Sequence, residues 1–261
     1  MTIDCGASSN YFNESLLAEL GGVVADLTGR QGLQTICLVG GPEAFMLGVD
    51  PAFFLNCLQK DELERIIAFT QQAHKLLDYL AANDPPVVAW VRGQAIGGGL
   101  ELALACRRIV ASDTAKFALP ETGLGIYPGL GGTQRLPRRI GPGLAKWMIY
   151  TGAIVPAPHA LAIGLVDALH SGTATAIEAI SALSDTAPAT PGPQDTRRFA
   201  ALAELFASNQ LAALIDPVFP SPLEPQAVRS LIQLRGKAPI ALRLAEQIID
   251  RGLTLSLAAG L

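Results

Sequence analysis

Two glutamates set in glycine-rich surroundings, Glu101 and Glu121, carry the chemistry this sequence has to offer. Glu101 closes the run Gly97-Gly98-Gly99-Leu100-Glu101, which separates the apolar stretch Val87-Val88-Ala89-Trp90-Val91 from the apolar stretch Leu102 to Cys106. That order reads as a strand, a glycine turn and a helix. Glycines at such a junction let the backbone approach a ligand closely. The first amides of a helix lack partners inside it and carry the positive end of its dipole. An oxygen that gains negative charge during a reaction is stabilised there. Glu101 lies three residues after Gly98 and so shares its helix face. One short segment thus offers an oxyanion donor and a carboxylate. Taken alone, the same residues fit a tight turn under a close-packed helix, with a glutamate paired to the helix dipole.

The elements that must position these groups alternate in type. Asn13 caps a helix whose expected stripe is Leu16, Leu20, Val23 and Leu27. Thr35–Val39 is a buried strand, and 43–51 a loop leading into a helix. Asp61 starts a long helix with the stripe Leu63, Ile66, Ile67, Thr70, Ala73, Leu77 and Leu80, ended by Asn83-Asp84-Pro85-Pro86. Strands are expected at 87–91, 108–111 and 116–119, and 120–133 is a long glycine-dense loop, costly to order and therefore functional. Helices and strands in alternation define an α/β class with crossover connections. After Gly141-Pro142 the pattern reads as helices only, over 143–151, 157–163, 174–184, 195–208, 224–235 and 238–251. Proline clusters at 187–193 and 217–225 read as an exposed linker and a turn. This places an α/β core at 1–141 and a helical region at 142–261.

Composition narrows the function classes. Apolar residues make up 50% and charged residues 16%, which fits a globular chain with a sizeable core. A net charge of −4 supplies no basic field, so no nucleic-acid partner is expected. Cys5, Cys37, Cys57 and Cys106 are widely spaced and read as free thiols of a reducing compartment. His74, His159 and His170 lack ligand spacing, so no metal is expected, and each reads as a helix or surface residue rather than a catalyst. The amino terminus shows no export signal. Residues 147–166 carry no Asp, Glu, Lys or Arg, but Gly152, Pro156, Pro158 and Gly164 break the run into two helices and a turn, not a membrane span. A cytoplasmic location is expected.

Three segments in order give a family resemblance: Ala44-Phe45 with Gly48-Val49-Asp50, Pro86 through Cys106, and Lys116 through Gly141. Together they resemble the crotonase superfamily, and within it the enoyl-CoA hydratases. The run Pro120-Glu121, Gly125-Ile126, Pro128-Gly129, Gly131-Gly132-Thr133-Gln134-Arg135-Leu136 is particularly similar. The resemblance implies a crotonase-like spiral of ββα turns with a helical carboxyl-terminal region that packs subunits into trimers or dimers of trimers. It implies that the amides of Val49 and Gly98 form an oxyanion hole, that Glu101 and Glu121 are the catalytic pair, and that Gly129 helps hold the reacting water. An acyl-CoA would bend across the loop of Phe45, Met46, Leu47, Gly48 and Asp50, with Gly97 and Pro120 also against substrate, and coenzyme A would enter as part of the substrate, with no separate cofactor.

The implied reaction is addition of water to a 2-enoyl thioester. Charge gathers on the carbonyl oxygen as an enolate forms, and each well-aimed donor is worth roughly 3–4 kcal/mol there. Two nearby carboxyls raise one another's proton affinity, so one can hold a proton while the other is ionised. Isomerases of the superfamily generally do not need both glutamates, and the related 3-hydroxyisobutyryl-CoA hydrolases lack a match to Glu101 and carry Asp where Gly129 stands. Isomerisation, dehydration on a carrier protein, thioester hydrolysis and a non-catalytic partner role are the alternatives. Met46, Leu47 and Pro51 depart from the usual small residues around Gly48 and are expected to reshape the acyl pocket.

Overall fold

The computed structural model describes residues 10–185, 193–216 and 223–261. In chain order the elements are α1 (Glu14–Thr28), β1 (Ile36–Val39), β2 (Ala44–Met46), α2 (Pro51–Gln59), α3 (Leu63–Ala82), β3 (Val87–Val91), β4 (Gln94–Ile96), α4 (Gly98–Ala105), β5 (Arg108–Ser112) and β6 (Lys116–Ala118). A 3-10 turn (Glu121–Leu124) leads to α5 (Gly132–Ile140), α6 (Pro142–Thr151), β7 (Val155–Pro156), α7 (Ala157–Ala162) and β8 (Ala168–His170). Helices α8 (Ala176–Asp185), α9 (Pro193–Ser208), α10 (Leu211–Ile215), α11 (Pro225–Arg235), α12 (Pro239–Gly252) and α13 (Leu257–Gly260) complete the chain.

The strands alternate between two sheets, ordered β1-β3-β5-β8 and β2-β4-β6-β7. Each pair of consecutive strands, β1 with β2, β3 with β4, β5 with β6, gives one strand to each sheet before a helix or turn carries the chain onward. The chain therefore winds as a coil of ββα turns. Pairings within the first sheet are all parallel, and β7 alone runs antiparallel, against β6. Covered on both faces, β1 and β3 are buried at every residue, as parallel strands between layers must be.

The Asn13 side chain accepts the Leu16 N–H at 2.9 Å, as its position before the first helix leads one to expect. The buried face of α1 is Leu17, Leu20 and Val24, one residue off the expected stripe, and Val23 is exposed. In α3 the buried residues are Phe69, Ala73, Leu76, Leu77 and Leu80. Leu63 and Ile67, assigned to the same stripe from the sequence, are exposed because the first two turns of α3 stand beyond the core. Phe69 anchors this end, with Phe12 and Phe53 rings at 6.1 and 5.0 Å.

The helices-only expectation after residue 141 is corrected. Val155 and Pro156 pair with β6, and Ala168–His170 pairs in parallel with β5, so both sheets draw on chain beyond that point. These strands are two and three residues long and take their structure from the sheet edge they complete, not from any repeat of their own. The helical spans themselves lie close to expectation, and two short helices, α10 and α13, join them. Helix α6 is buried from Gly143 to Thr151, with the Phe199 and Phe206 rings of α9 6.2 and 6.4 Å from Trp147 and Tyr150. Cys57 and Cys106 are buried free thiols, and Cys37 is buried as well. Cys5, most of the proline-rich stretch at 187–193 and most of that at 217–225 lie outside the described residues. No described helix is long and apolar enough to cross a membrane.

Candidate active site

The site is assembled from three successive turns of the coil. The first turn supplies Gly48 and Val49. A lone parallel bridge joins Val49 to Phe12: the Phe12 N–H donates to the Gly48 carbonyl at 2.7 Å, and the Asp50 N–H donates to the Phe12 carbonyl at 3.2 Å. In such a bridge the bonds are made by the residues either side of Val49, so its own N–H turns away from Phe12. Gly48, at φ +98°, makes the bend that aims it. Asp50 then caps α2, accepting the Ala52 N–H at 2.9 Å, and Pro51 takes the first helical position, where a missing N–H costs nothing.

Buried Asn10 holds this turn from behind, donating from Nδ2 to the carbonyls of Ala44 and Phe45 at 3.3 Å each, while its own carbonyl accepts from Leu47 at 2.8 Å. Nothing in the residue pattern marked Asn10, because its partners are main-chain atoms more than thirty residues away in sequence. Asn10→Ala leaves two buried carbonyls short of a donor, and an unmade buried bond costs about 1–3 kcal/mol. We expect a loss of that size in urea unfolding; an unchanged midpoint would mean the loop holds itself.

The second turn supplies the glycine run and Glu101. Gly97 adopts φ +55° and caps α4, and the Gly98 N–H heads that helix. A side-chain carbon placed on Gly98 would start 3.6 Å from the Val49 nitrogen and 3.2 Å from Leu130 Cδ1. A carbon on Gly97 would start 3.0 Å from Glu121 Oε1 and 3.8 Å from the Gly48 Cα. Gly99 has no room for one because the carbonyl of Met46 lies against it, which sets α4 tightly on β2. Gly98 therefore lies beside the main chain of Val49, and Gly97 beside the Glu121 carboxyl.

The third turn brings Glu121 on the 3-10 turn and the loop 127–132. Glu101 is 1% exposed, and its Oε1 accepts the N–H groups of Leu130 and Gly132, both at 2.7 Å. Burial pushes its carboxyl up to about 7, against the opposing pull of those two amides and of the Arg135 charge. Glu121 is also buried, and its Oε2 has no partner. Burial and then the charge of Glu101 push it well above the usual carboxylate range. The two acids are therefore electrostatic neighbours with different surroundings, one gripped by two amides and one with a free oxygen. Of the other residues marked from sequence, Pro120 and Gly129 lie half-buried on the same loop, whereas the Phe45 and Met46 side chains are sealed in the core, leaving only their main chain near Gly48. Among the described residues no cluster of His, Cys, Asp or Glu could hold a metal ion.

Behind the 127–132 loop lies a cavity of about 480 Å³, walled by Ile66, Ile67, Thr70 and His74 of α3 and by the loop itself. Neither Glu101 nor Glu121 lines it.

A coil of paired strands alternating between two sheets is the crotonase arrangement. Residues 1–192 match the enoyl-CoA hydratase/isomerase family, and the chain belongs to it. The crotonyl-CoA hydratase of Syntrophomonas wolfei is 41% identical over 159 residues, 60% of this chain and 60% of that protein. The fatty acid oxidation complex subunit alpha of Pseudomonas aeruginosa is 40% identical over 164 residues, 63% of this chain and 23% of that subunit. The match thus spans less than two thirds of either curated relative. An enoyl-CoA hydratase from Rhodobacter sphaeroides superposes with a TM-score of 0.84 at 23% identity, over 99% of this chain and 78% of that one, a likeness of fold.

Proposed function

We propose that this chain adds water reversibly to the double bond of a 2-enoyl-CoA, giving a 3-hydroxyacyl-CoA. The observation that carries the reading is the pair of buried, electrostatically coupled carboxyls, with Glu121 beside Gly97 and the Val49 main chain beside Gly98. The thioester carbonyl would accept from Val49 and Gly98. Glu101, whose charge two amides stabilise, is the better base. Glu121, whose free oxygen lacks any donor, is the better proton carrier. Glu101 takes a proton from water as the water oxygen bonds to C3. The electron pair of the double bond moves onto the carbonyl oxygen, held by the amide pair. Glu121 then gives its proton to C2, the thioester re-forms, and a proton passes from Glu101 back to Glu121. With both acids acting on the same face of the double bond, addition would be syn. Coenzyme A is part of the substrate, and neither the proton transfers nor the oxyanion clamp calls for a separate cofactor.

The names of the relatives support the same reaction class, and retention of both acids favours hydration or dehydration over a double-bond shift. Trimers, or dimers of trimers, are the assembly we propose. Incubation with crotonyl-CoA tests the reaction: the absorbance of the conjugated thioester should fall and 3-hydroxybutyryl-CoA should appear. Thiol release instead would mark a hydrolase, and a conjugated product from a 3-enoyl-CoA alone would mark an isomerase.

A further inference from the structure

Helix α3 touches the 127–132 loop through one polar contact. His74 Nε2 lies 2.7 Å from the Gly129 carbonyl oxygen. A carbonyl only accepts, so the ring must donate through Nε2–H. That carbonyl belongs to the same peptide group as the Leu130 N–H, which donates to Glu101 Oε1, also at 2.7 Å. One planar unit is therefore held at both ends, by an imidazole on its oxygen and a buried carboxylate on its nitrogen. Donation to a peptide oxygen polarises the whole amide and strengthens its N–H as a donor. We propose that His74 is a positioning residue for Glu101, acting through the Gly129–Leu130 peptide group.

Neighbouring contacts serve the same end. Asp78, one turn further along α3, pairs at 2.6 Å with the buried Arg135 of α5, just beyond the loop. The face of α3 that carries His74 and Asp78 thus grips both ends of the segment that binds Glu101. The charged groups acting on Glu101 are Glu121 from the 3-10 turn and Arg135 from α5, and Tyr127 is the other titratable side chain on the cavity wall beside His74. His74 lines the cavity and meets the loop at the Gly129 carbonyl, and its proposed role involves no contact with the reacting atoms.

The inference rests on the hydratase reading only for its kinetic consequence, so two readouts are needed. The first is the pH profile of kcat with crotonyl-CoA for wild type, His74→Met and His74→Gln. His74→Met keeps the bulk and removes the donor. It should lower kcat about tenfold, the size of one hydrogen bond, with little change in KM. It should also move the acidic limb to higher pH by about half a unit, because a less firmly held Leu130 N–H stabilises the Glu101 carboxylate less. His74→Gln, which can donate from its amide, should restore both. The second readout needs no activity: carboxyl-carbon NMR of Glu101 in the unliganded protein should show the same upward shift in His74→Met. In the wild type, ring-nitrogen shifts should report a proton on His74 Nε2, a measurement that stands even if a variant fails to fold. A ring protonated on Nδ1 only, or a Glu101 titration identical in wild type and His74→Met, overturns the proposal. Should the wild type hydrate no 2-enoyl-CoA, the hydratase reading fails, and the NMR titration still decides the role of His74.

Discussion

Glu121→Gln should lower crotonyl-CoA hydration at least about a hundredfold while leaving KM within a few-fold of wild type. The substitution keeps the shape of the side chain beside Gly97 but removes the proton that must reach C2. Binding is left to the amide pair of Val49 and Gly98 and to contacts remote from the acids, so the loss falls on kcat. Glu101→Gln should act similarly for a different reason. Its amide oxygen can still accept from Leu130 and Gly132, so the loop stays in place. A neutral amide, however, cannot take a proton from water. Steady-state kinetics on both variants, with product identified chromatographically, checks the assignment. Near-normal turnover in both would remove the two carboxyls from the reaction. A large rise in KM with kcat unchanged would make them substrate-binding groups only.

The same two acids should make the protein less stable as the medium becomes less acidic. In the unfolded chain a glutamate titrates near its model value of 4.5, and in the folded chain burial raises Glu101 to about 7. Between those values the folded state holds more protons than the unfolded state, so stability falls as pH rises through the window. The penalty is fully absent below the lower value and fully present above the upper one. For Glu101 it amounts to on the order of 3 kcal/mol, and Glu121 acts in the same direction. Urea unfolding at a series of pH values, for wild type and for the double variant Glu101→Gln/Glu121→Gln, isolates the effect. The advantage of wild type over the double variant should shrink by at least that amount between about pH 4.5 and pH 8, with Glu121 adding to it. A difference that is flat across the range would mean that water or rearrangement relieves the buried charge.

These acids were legible in the sequence, but not from glycine alone. A triple glycine between an apolar strand and an apolar helix fits a close-packed turn just as well, and it was the resemblance over three ordered segments, including the glycine-dense loop bearing Glu121, that pointed to the two acids. The turn at Val49 was legible only through the resemblance, since one valine in a loop says nothing by itself. What escaped was of two kinds. Strand β8 has three residues and no alternation, and exists because β5 offers it a free edge. Asn10 and His74 act on main-chain carbonyls distant in sequence, and a carbonyl is the same at every position, so no pattern of side chains can announce it. The offset of the buried face of α1, and the two exposed residues at the start of α3, have a common cause: periodicity gives a helix an apolar side, but the neighbours it meets decide where that side begins and ends.

The three turns of the coil divide the labour of the site. In the proposed reaction, holding the carbonyl falls to turns one and two, and moving protons falls to turns two and three. A relative that needs different proton chemistry on the same kind of thioester could change the segment 121–132 alone and inherit the grip on the carbonyl intact. Variation within such a lineage should then concentrate in the third turn, while the geometry around Gly48, Val49 and Gly98 stays constant because every thioester reaction draws on it.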